Sequence, residues 1–147
     1  MPITTEEADG SDIEDDSNIV TSKNIKIDTE NNEVTTTPNA TVKELATLMA
    51  TDLVVKNAKG EVLAQDAKLS TGCVINDIYT VSVLGDVSGD GEIDARDSLR
   101  ILKYAVGTYE IKEEFLTSAD LNKDGVIDAR DSLRVLKYSV ETYKIEI

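Results

Sequence analysis

Apolar and polar positions alternate along the first half of this chain and recur at helical spacing along the second. Residues 24–28 (NIKID) alternate, residues 29–32 make a polar turn, and residues 33–37 (EVTTT) can return as a strand before Pro38 and Asn39 end it. Thr41 followed by Glu44 is a capping-box signature, and Val42, Leu45, Leu48 and Met49 then fall on one face of a short helix. Residues 53–56 and 61–64 flank the polar turn 57–60 as a hairpin, and residues 72–75 and 79–84 supply the last strands. Beyond residue 86 the period lengthens. Residues 95–106 (ARDSLRILKYAV) and 129–140 (ARDSLRVLKYSV) read as helices, with Leu99, Leu102, Val106 and their counterparts Leu133, Leu136, Val140 expected to form the core between them. Residues 112–118 predict a connecting helical turn in which Phe115 and Leu116 cover one end, and residues 144–147 alternate so as to pair with 79–84. The pattern thus predicts a small mainly-β domain over residues 18–85 and an all-α domain over residues 86–147.

The second half is one segment written twice. Residues 86–111 and 120–145 agree at 18 of 26 positions, and each copy opens on an acidic loop, DVSGDGEIDARD and then DLNKDGVIDARD. Oxygen-bearing side chains stand at loop positions 1, 3, 5, 9 and 12, with glycine at 6 and isoleucine at 8, the pattern of a calcium loop of the EF-hand type. A hard cation of that size takes six to eight oxygens at about 2.3–2.6 Å, so the chain must wrap the ion and turn sharply in mid-loop, where Gly91 and Gly125 sit. The expected ligands are Asp86, Ser88, Asp90, the carbonyl of Glu92, Asp94 and Asp97 in the first loop. In the second they are Asp120, Asn122, Asp124, the carbonyl of Val126, Asp128 and Asp131. Ile93 and Ile127 should point away from the metal and pair across the loops. Surface turns rich in Asp and Gly are the plain alternative, but two copies in register, each followed by the same helix, favour two calcium ions.

Electrostatics agrees. Each empty loop gathers four aspartates, and every pair at about 4 Å repels by on the order of 1 kcal/mol even in water. Calcium binding is therefore expected to be part of folding. Neither loop is preceded by an amphipathic helix, so each unit is half of an EF-hand.

Charge narrows the field further. The net charge of -14 is concentrated in residues 1–17, which carry seven acids and no base and should form a disordered acidic linker. Nucleic acid is a poor candidate partner for such a chain. Cys73 is alone, cannot close an intrachain disulfide and sits in an apolar run, so it reads as a small buried hydrophobe. No apolar run reaches the length of a membrane span, and the amino terminus lacks the basic and apolar parts of a secretion signal. Calcium sites of this kind suit the millimolar calcium outside cells, so the sequence is expected to be a piece of a longer exported protein. The sequon Asn39-Ala40-Thr41 is explained already as a helix-entry turn, and Glu61, Asp66 and Asp77 are scattered acids that no spacing unites. No catalytic constellation is found, so the chain itself is not expected to be an enzyme.

From Asp86 to about Tyr143 these residues, with both loops, both following helices and the missing entering helices, resemble a dockerin. The resemblance implies a calcium-dependent module that docks its parent protein onto a cohesin of a scaffoldin in a bacterial cellulosome-like assembly, outside the cell or on its surface, in the service of polysaccharide degradation. Residues 18–85 resemble, more weakly, the immunoglobulin-like or X-type modules that stand beside dockerins. The family's cohesin-contacting positions fall on Ala95, Arg96, Leu102 and Lys103, and on Ala129, Arg130, Leu136 and Lys137. Much of the family has Ser-Thr where this chain has Ala-Arg, which leaves the cohesin class open.

The residues themselves add that Arg96, Arg100 and Lys103 lie on one helical face at i, i+4 and i+7, and Arg130, Arg134 and Lys137 repeat the row. In so acidic a chain such rows suit carboxylates on a partner; alternatively they offset the loop aspartates or simply face solvent. Because the rows match, rotation by about 180° would present an equivalent face, and dual binding is expected of a chain that is monomeric when unbound. Two rival functions stay in view. A calcium sensor or buffer needs a metal-exposed, Met-rich groove, whereas the only methionines are Met1 and Met49. A carboxy-terminal fragment of a polysaccharide-degrading enzyme would hold its catalysis outside these residues.

Overall fold

The computed structural model describes residues 19–147, so the expected acidic linker over 1–17 lies outside the described residues. Six short strands form one mixed sheet: β1 (Ile19–Thr21), β2 (Ile25–Asp28), β3 (Glu33–Thr36), β4 (Val55–Lys56), β5 (Val74–Ile75) and β6 (Tyr79–Val83), in the order β1-β2-β3-β6-β5-β4. Neighbours run antiparallel except β3 and β6, which are parallel with Val34 opposite Val81 and Thr36 opposite Val83. Helix α1 (Val42–Met49) belongs to the crossover between them. The expected capping box is formed, Thr41 accepting from the Glu44 N–H while the Glu44 carboxylate accepts from the Thr41 N–H.

Strand alternation buries Ile25 and Ile27 and exposes Lys26, and these join Val34, Val42, Leu45, Val55, Ile75, Val81 and Val83 in a first core. Cys73 is buried in the same core, as expected of a small hydrophobe. Among the described residues all strands belong to one sheet, so the two-sheet sandwich expected of an immunoglobulin-like module is not seen there. Strands of two to five residues are too short to make two facing layers, and α1 contributes Val42 and Leu45 to cover the apolar side instead. The expected hairpin about residues 57–60 is formed but short: Lys56 bridges Val62, and the Leu63 N–H donates to the Val55 carbonyl at 2.8 Å. The strand pairing of β4 itself is with β5, where Val55 lies opposite Ile75 and Lys56 opposite Val74.

The helical half contains α2 (Ala95–Ala105), a short 3-10 turn (Glu113–Phe115) leading into α3 (Leu116–Ala119), and α4 (Ala129–Ser139). Its core consists of Leu84, Val87, Ile101, Ile111, Ala119, Leu121, Val135 and Ile145, with Phe115 and Leu116 packed against it as expected. The faces that α2 and α4 bury against one another are not the anticipated ones. Leu99, Leu102, Val106, Leu133, Leu136 and Val140 are all exposed, and Ser98, Ile101, Ser132 and Val135 are inside. The reason lies at the helix starts. Asp97 and Asp131 must turn back into their loops, which fixes the inward side of each helix one residue away from the leucine row. At the centre of the contact each serine hydroxyl donates to the other's carbonyl at 2.8 Å, and the two hydroxyl oxygens lie 2.8 Å apart. Equivalent residues of the two copies thus meet each other, the mark of an approximate two-fold axis.

Ile93 and Ile127 both turn into this core, and Ile93 touches the first core as well. The carboxy-terminal residues 144–147 form no strand with β6; Ile145 instead buries beside Leu84, and Glu146 accepts from the Lys123 ammonium through its carbonyl at 2.9 Å. Among the described residues no helix is long and apolar enough to cross a membrane. Burial on this pattern predicts that Ile101→Ala destabilises the calcium-loaded chain by about 2–5 kcal/mol, whereas Leu99→Ala costs less than about 0.5 kcal/mol. Denaturant unfolding of the two variants checks it; equal losses would return the leucine row to the core.

Candidate metal centres and the helical face

Each acidic loop is closed by its own backbone. In the first, Asp86 lies fully buried. Its Oδ1 accepts from the Gly89 N–H at 3.0 Å and the Ser88 hydroxyl at 3.3 Å, and its Oδ2 from the Gly91 N–H at 2.9 Å. Asp97 reaches back from α2, accepting from the Ser88 N–H at 3.3 Å and the Asp94 N–H at 3.1 Å. The second loop repeats the plan. Asp120 accepts from the Gly125 N–H at 3.0 Å, and Asp131 from the N–H groups of Asn122 and Asp128 at 3.2 and 3.0 Å. Gly91 and Gly125 take φ near +80°, the left-handed turn that the loops require of position 6.

The result is convergence of like charges. Carboxylate oxygens of Asp86, Asp90 and Asp97 lie within 4.8 Å of one another, and so do those of Asp120, Asp124 and Asp131. Burial drives the Asp97 carboxyl up to about 6, with the charges of Asp86, Asp90 and Asp94 adding to it. Burial likewise raises Asp86 and Asp131. A cation fits this arrangement on two counts: the oxygens are hard and already gathered, and Asp120 Oδ1 is buried with no hydrogen-bond partner among the described residues. Ser88 and Asn122 stand at the rim, each hydrogen-bonded to a neighbouring carboxylate. The Glu92 carboxylate turns away to Lys68 and the Val126 side chain is exposed, so from these positions only a carbonyl is left to offer.

Asp94 and Asp128 stand apart from the trios. Each is the N-cap of its helix, accepting from the N–H two residues on, while Asp97 and Asp131 complete a capping box of the D-x-x-D kind that the sequence pattern had not singled out. The following arginines pair with them. Arg96 Nη2 lies 2.7 Å from Asp94 and 3.8 Å from Asp90; Arg130 Nη2 lies 2.7 Å from Asp128 and 3.2 Å from Asp124. Those hydrogen bonds hold the Asp94 and Asp128 carboxyls below the usual range.

The basic rows are therefore divided in purpose. Arg96 and Arg130 offset their own loops, Arg100 and Arg134 are half-buried at the helix flanks, and Lys103 and Lys137 are exposed and form no ion pair among the described residues. Ala95 and Ala129 open the two helices and are exposed. The exposed apolar rows match in pairs: Leu99 is 51 % exposed and Leu133 49 %, Leu102 40 % and Leu136 43 %, Val106 66 % and Val140 62 %. What sequence reasoning missed is the other side of the first loop. The Thr71 N–H donates to Asp86 Oδ2 at 3.0 Å, and Lys68 meets Glu92 at 2.9 Å. No spacing within either segment signals a contact across so many residues.

The raised Asp97 carboxyl gives a pH dependence with a definite sign. A proton held below about pH 6 must leave when a cation enters, so calcium affinity falls as pH drops through that value. In chelator the linkage reverses: the contribution of Asp97 to stability is fully present below its ordinary value of 3.8 and is lost as pH rises through about 6. Calcium titrations and melting curves at pH 5 and 7.5 read both effects; a metal-free chain more stable at the higher pH would contradict the burial of this group.

No curated protein matches the chain. Residues 84–138, which take in both acidic loops, α2 and all but the last residue of α4, match the family model described as the dockerin type I domain.

Proposed function

We propose that residues 86–147 form a non-catalytic, calcium-dependent docking module that attaches its parent protein to a cohesin of a scaffoldin or cell-surface anchoring protein. One calcium ion sits in each loop. Asp86, Ser88, Asp90, the Glu92 carbonyl and Asp97 hold the first directly and Asp94 through a water; Asp120, Asn122, Asp124, the Val126 carbonyl and Asp131 hold the second, with Asp128 again acting through a water. Residues 18–85 form a separate β module, and the setting is extracellular. A polysaccharide-degrading parent is compatible with this reading and would carry its catalysis in another domain.

One observation carries the proposal: two carboxylate trios stand at the starts of two helices whose outward apolar rows are equally exposed about an approximate two-fold axis between Ser98 and Ser132. Exposed leucine and valine rows of this kind mark a protein-binding surface. Neutralising each trio with a cation lets the capped helices hold their mutual angle, so calcium governs the surface without touching the partner. Lys103 and Lys137 border the rows and suit carboxylates on the cohesin; Arg96 and Arg130 serve chiefly to balance the loops. The matched rows support dual binding, in which either helix can dominate the contact after a half-turn of the module.

Titration against a panel of cohesins, in calcium and again in chelator, tests the proposal; binding that survives chelator would refute it. Leu102→Asp with Lys103→Glu should leave binding within about fivefold, as should Leu136→Asp with Lys137→Glu, while the four changes together abolish it. Loss from one pair alone would rule out the dual mode.

A further inference from the structure

The two loops place the same four aspartates at equivalent positions, with Ser88 in one where Asn122 stands in the other, but their surroundings differ. Around the first, the segment 68–72 of the β module closes one side. Thr71 is fully buried, and its N–H donates to Asp86 Oδ2, so Asp86 is held from outside its own loop as well as from the Ser88 hydroxyl and the N–H groups of Gly89 and Gly91. A Cβ added at Gly89 would lie 2.8 Å from the Thr71 carbonyl oxygen, and one added at Gly72 would lie 3.3 Å from the Phe115 ring. Lys68 adds its ion pair to Glu92. The second loop has no such wall. A Cβ at Gly125 would meet nothing within 4 Å, whereas one at its counterpart Gly91 would lie 3.5 Å from the Ser70 Cβ; Asp120 Oδ1 has no donor among the described residues; and loop position 4 is Lys123, with φ of +59° and its ammonium on the Glu146 carbonyl.

We propose that the β module, through the Thr71 N–H, forms the outer wall of the first calcium site, so that two loops of like sequence bind calcium unequally, the first more tightly. The inference rests on the calcium reading above and adds a positioning residue to it. Two effects act in the same direction. The donated hydrogen bond fixes the rotamer of the position-1 carboxylate before the ion arrives, as an outer-shell partner does for a metal ligand. Burial of Asp86 also makes an uncompensated charge more costly there than at Asp120, so the cation relieves more at the first site. Reciprocally, the ion at the first site holds the 68–72 segment on the loop, and its removal frees the Thr71 N–H.

Gly89 offers a test that spares the loop's own fold. Its counterpart Lys123 shows that position 4 tolerates a side chain at positive φ, so in the first loop the obstacle to Gly89→Asn is the Thr71 carbonyl. The full chain is titrated with calcium in competition with a chromophoric chelator, and amide hydrogen exchange at Thr71 is followed with and without calcium. We expect two steps separated by about tenfold or more, Gly89→Asn weakening the tighter one by about tenfold, and Lys123→Asn weakening neither. The Thr71 amide should be protected in calcium and exchange rapidly in chelator or in Gly89→Asn. Two equal steps, or Thr71 exchange unaffected by calcium, would overturn the inference while leaving the docking reading intact. Flat isotherms in every variant would overturn the docking reading and this inference together. The exchange measurement needs no variant, so it decides even if Gly89→Asn fails to fold.

Discussion

Everything in the helical half depends on holding two sets of three carboxylates together against their own repulsion. At separations under 4.8 Å, each pair opposes the fold by on the order of 1 kcal/mol in water and about 4 kcal/mol at the effective dielectric of a protein surface. Backbone N–H groups at loop positions 3, 4, 6 and 9 orient these carboxylates but cannot cancel their charge. A divalent cation can. Because Asp97 and Asp131 are simultaneously loop acids and members of the helix capping boxes, the loop and the first helical turn are one unit. Caps of this sort are worth about 1 kcal/mol each, so losing the loop also loosens the helix start.

That coupling also explains which side of each helix is buried. The carboxylate at loop position 12 must point back into the loop, and the next residue, Ser98 or Ser132, then falls at the helix–helix contact. A large side chain there would push the helices apart, whereas two serines let the backbones approach and satisfy one another's hydroxyls. Ile101 and Val135 supply the apolar burial one turn on, each worth about 1.5–3 kcal/mol. The leucines are left outside, on a face whose two halves are near-equivalent by symmetry.

The β module enters this arrangement through a short junction. β6 ends at Val83, Leu84 is already in the helical core, and Asp86 is already in the loop. Gly85, at φ of +94°, makes the turn between them, and a Cβ there would lie 3.2–3.3 Å from Ile93 and Ile145. The Gly85 N–H donates to the Ser118 carbonyl at 2.7 Å, which ties the junction to α3. With so little chain between strand and loop, the 68–72 segment is delivered onto the first loop and not the second. A repeat that is symmetric in sequence thereby becomes asymmetric in its surroundings.

Local chemistry was legible from residues alone. The loop acids, the position-6 glycines, the capping box at Thr41 and the duplicated helices all follow from interactions within about a dozen residues, where identity and spacing suffice. The face of each helix that is buried was not legible, because Leu99, Leu102 and Val106 satisfy the helical period as well as Ser98 and Ile101 do; the neighbouring helix and the inward carboxylates made the choice. Nor were the pairing of β4 with β5, the docking of Ile145 and the Thr71–Asp86 bond, each of which joins distant segments whose partners are selected by burial. Residue identity and spacing were enough to place the gathered charge and the helix starts, since those are short-range electrostatics and capping. Tertiary packing alone decided which apolar row stays exposed and which loop the 68–72 segment covers, since both depend on what the rest of the chain has already buried.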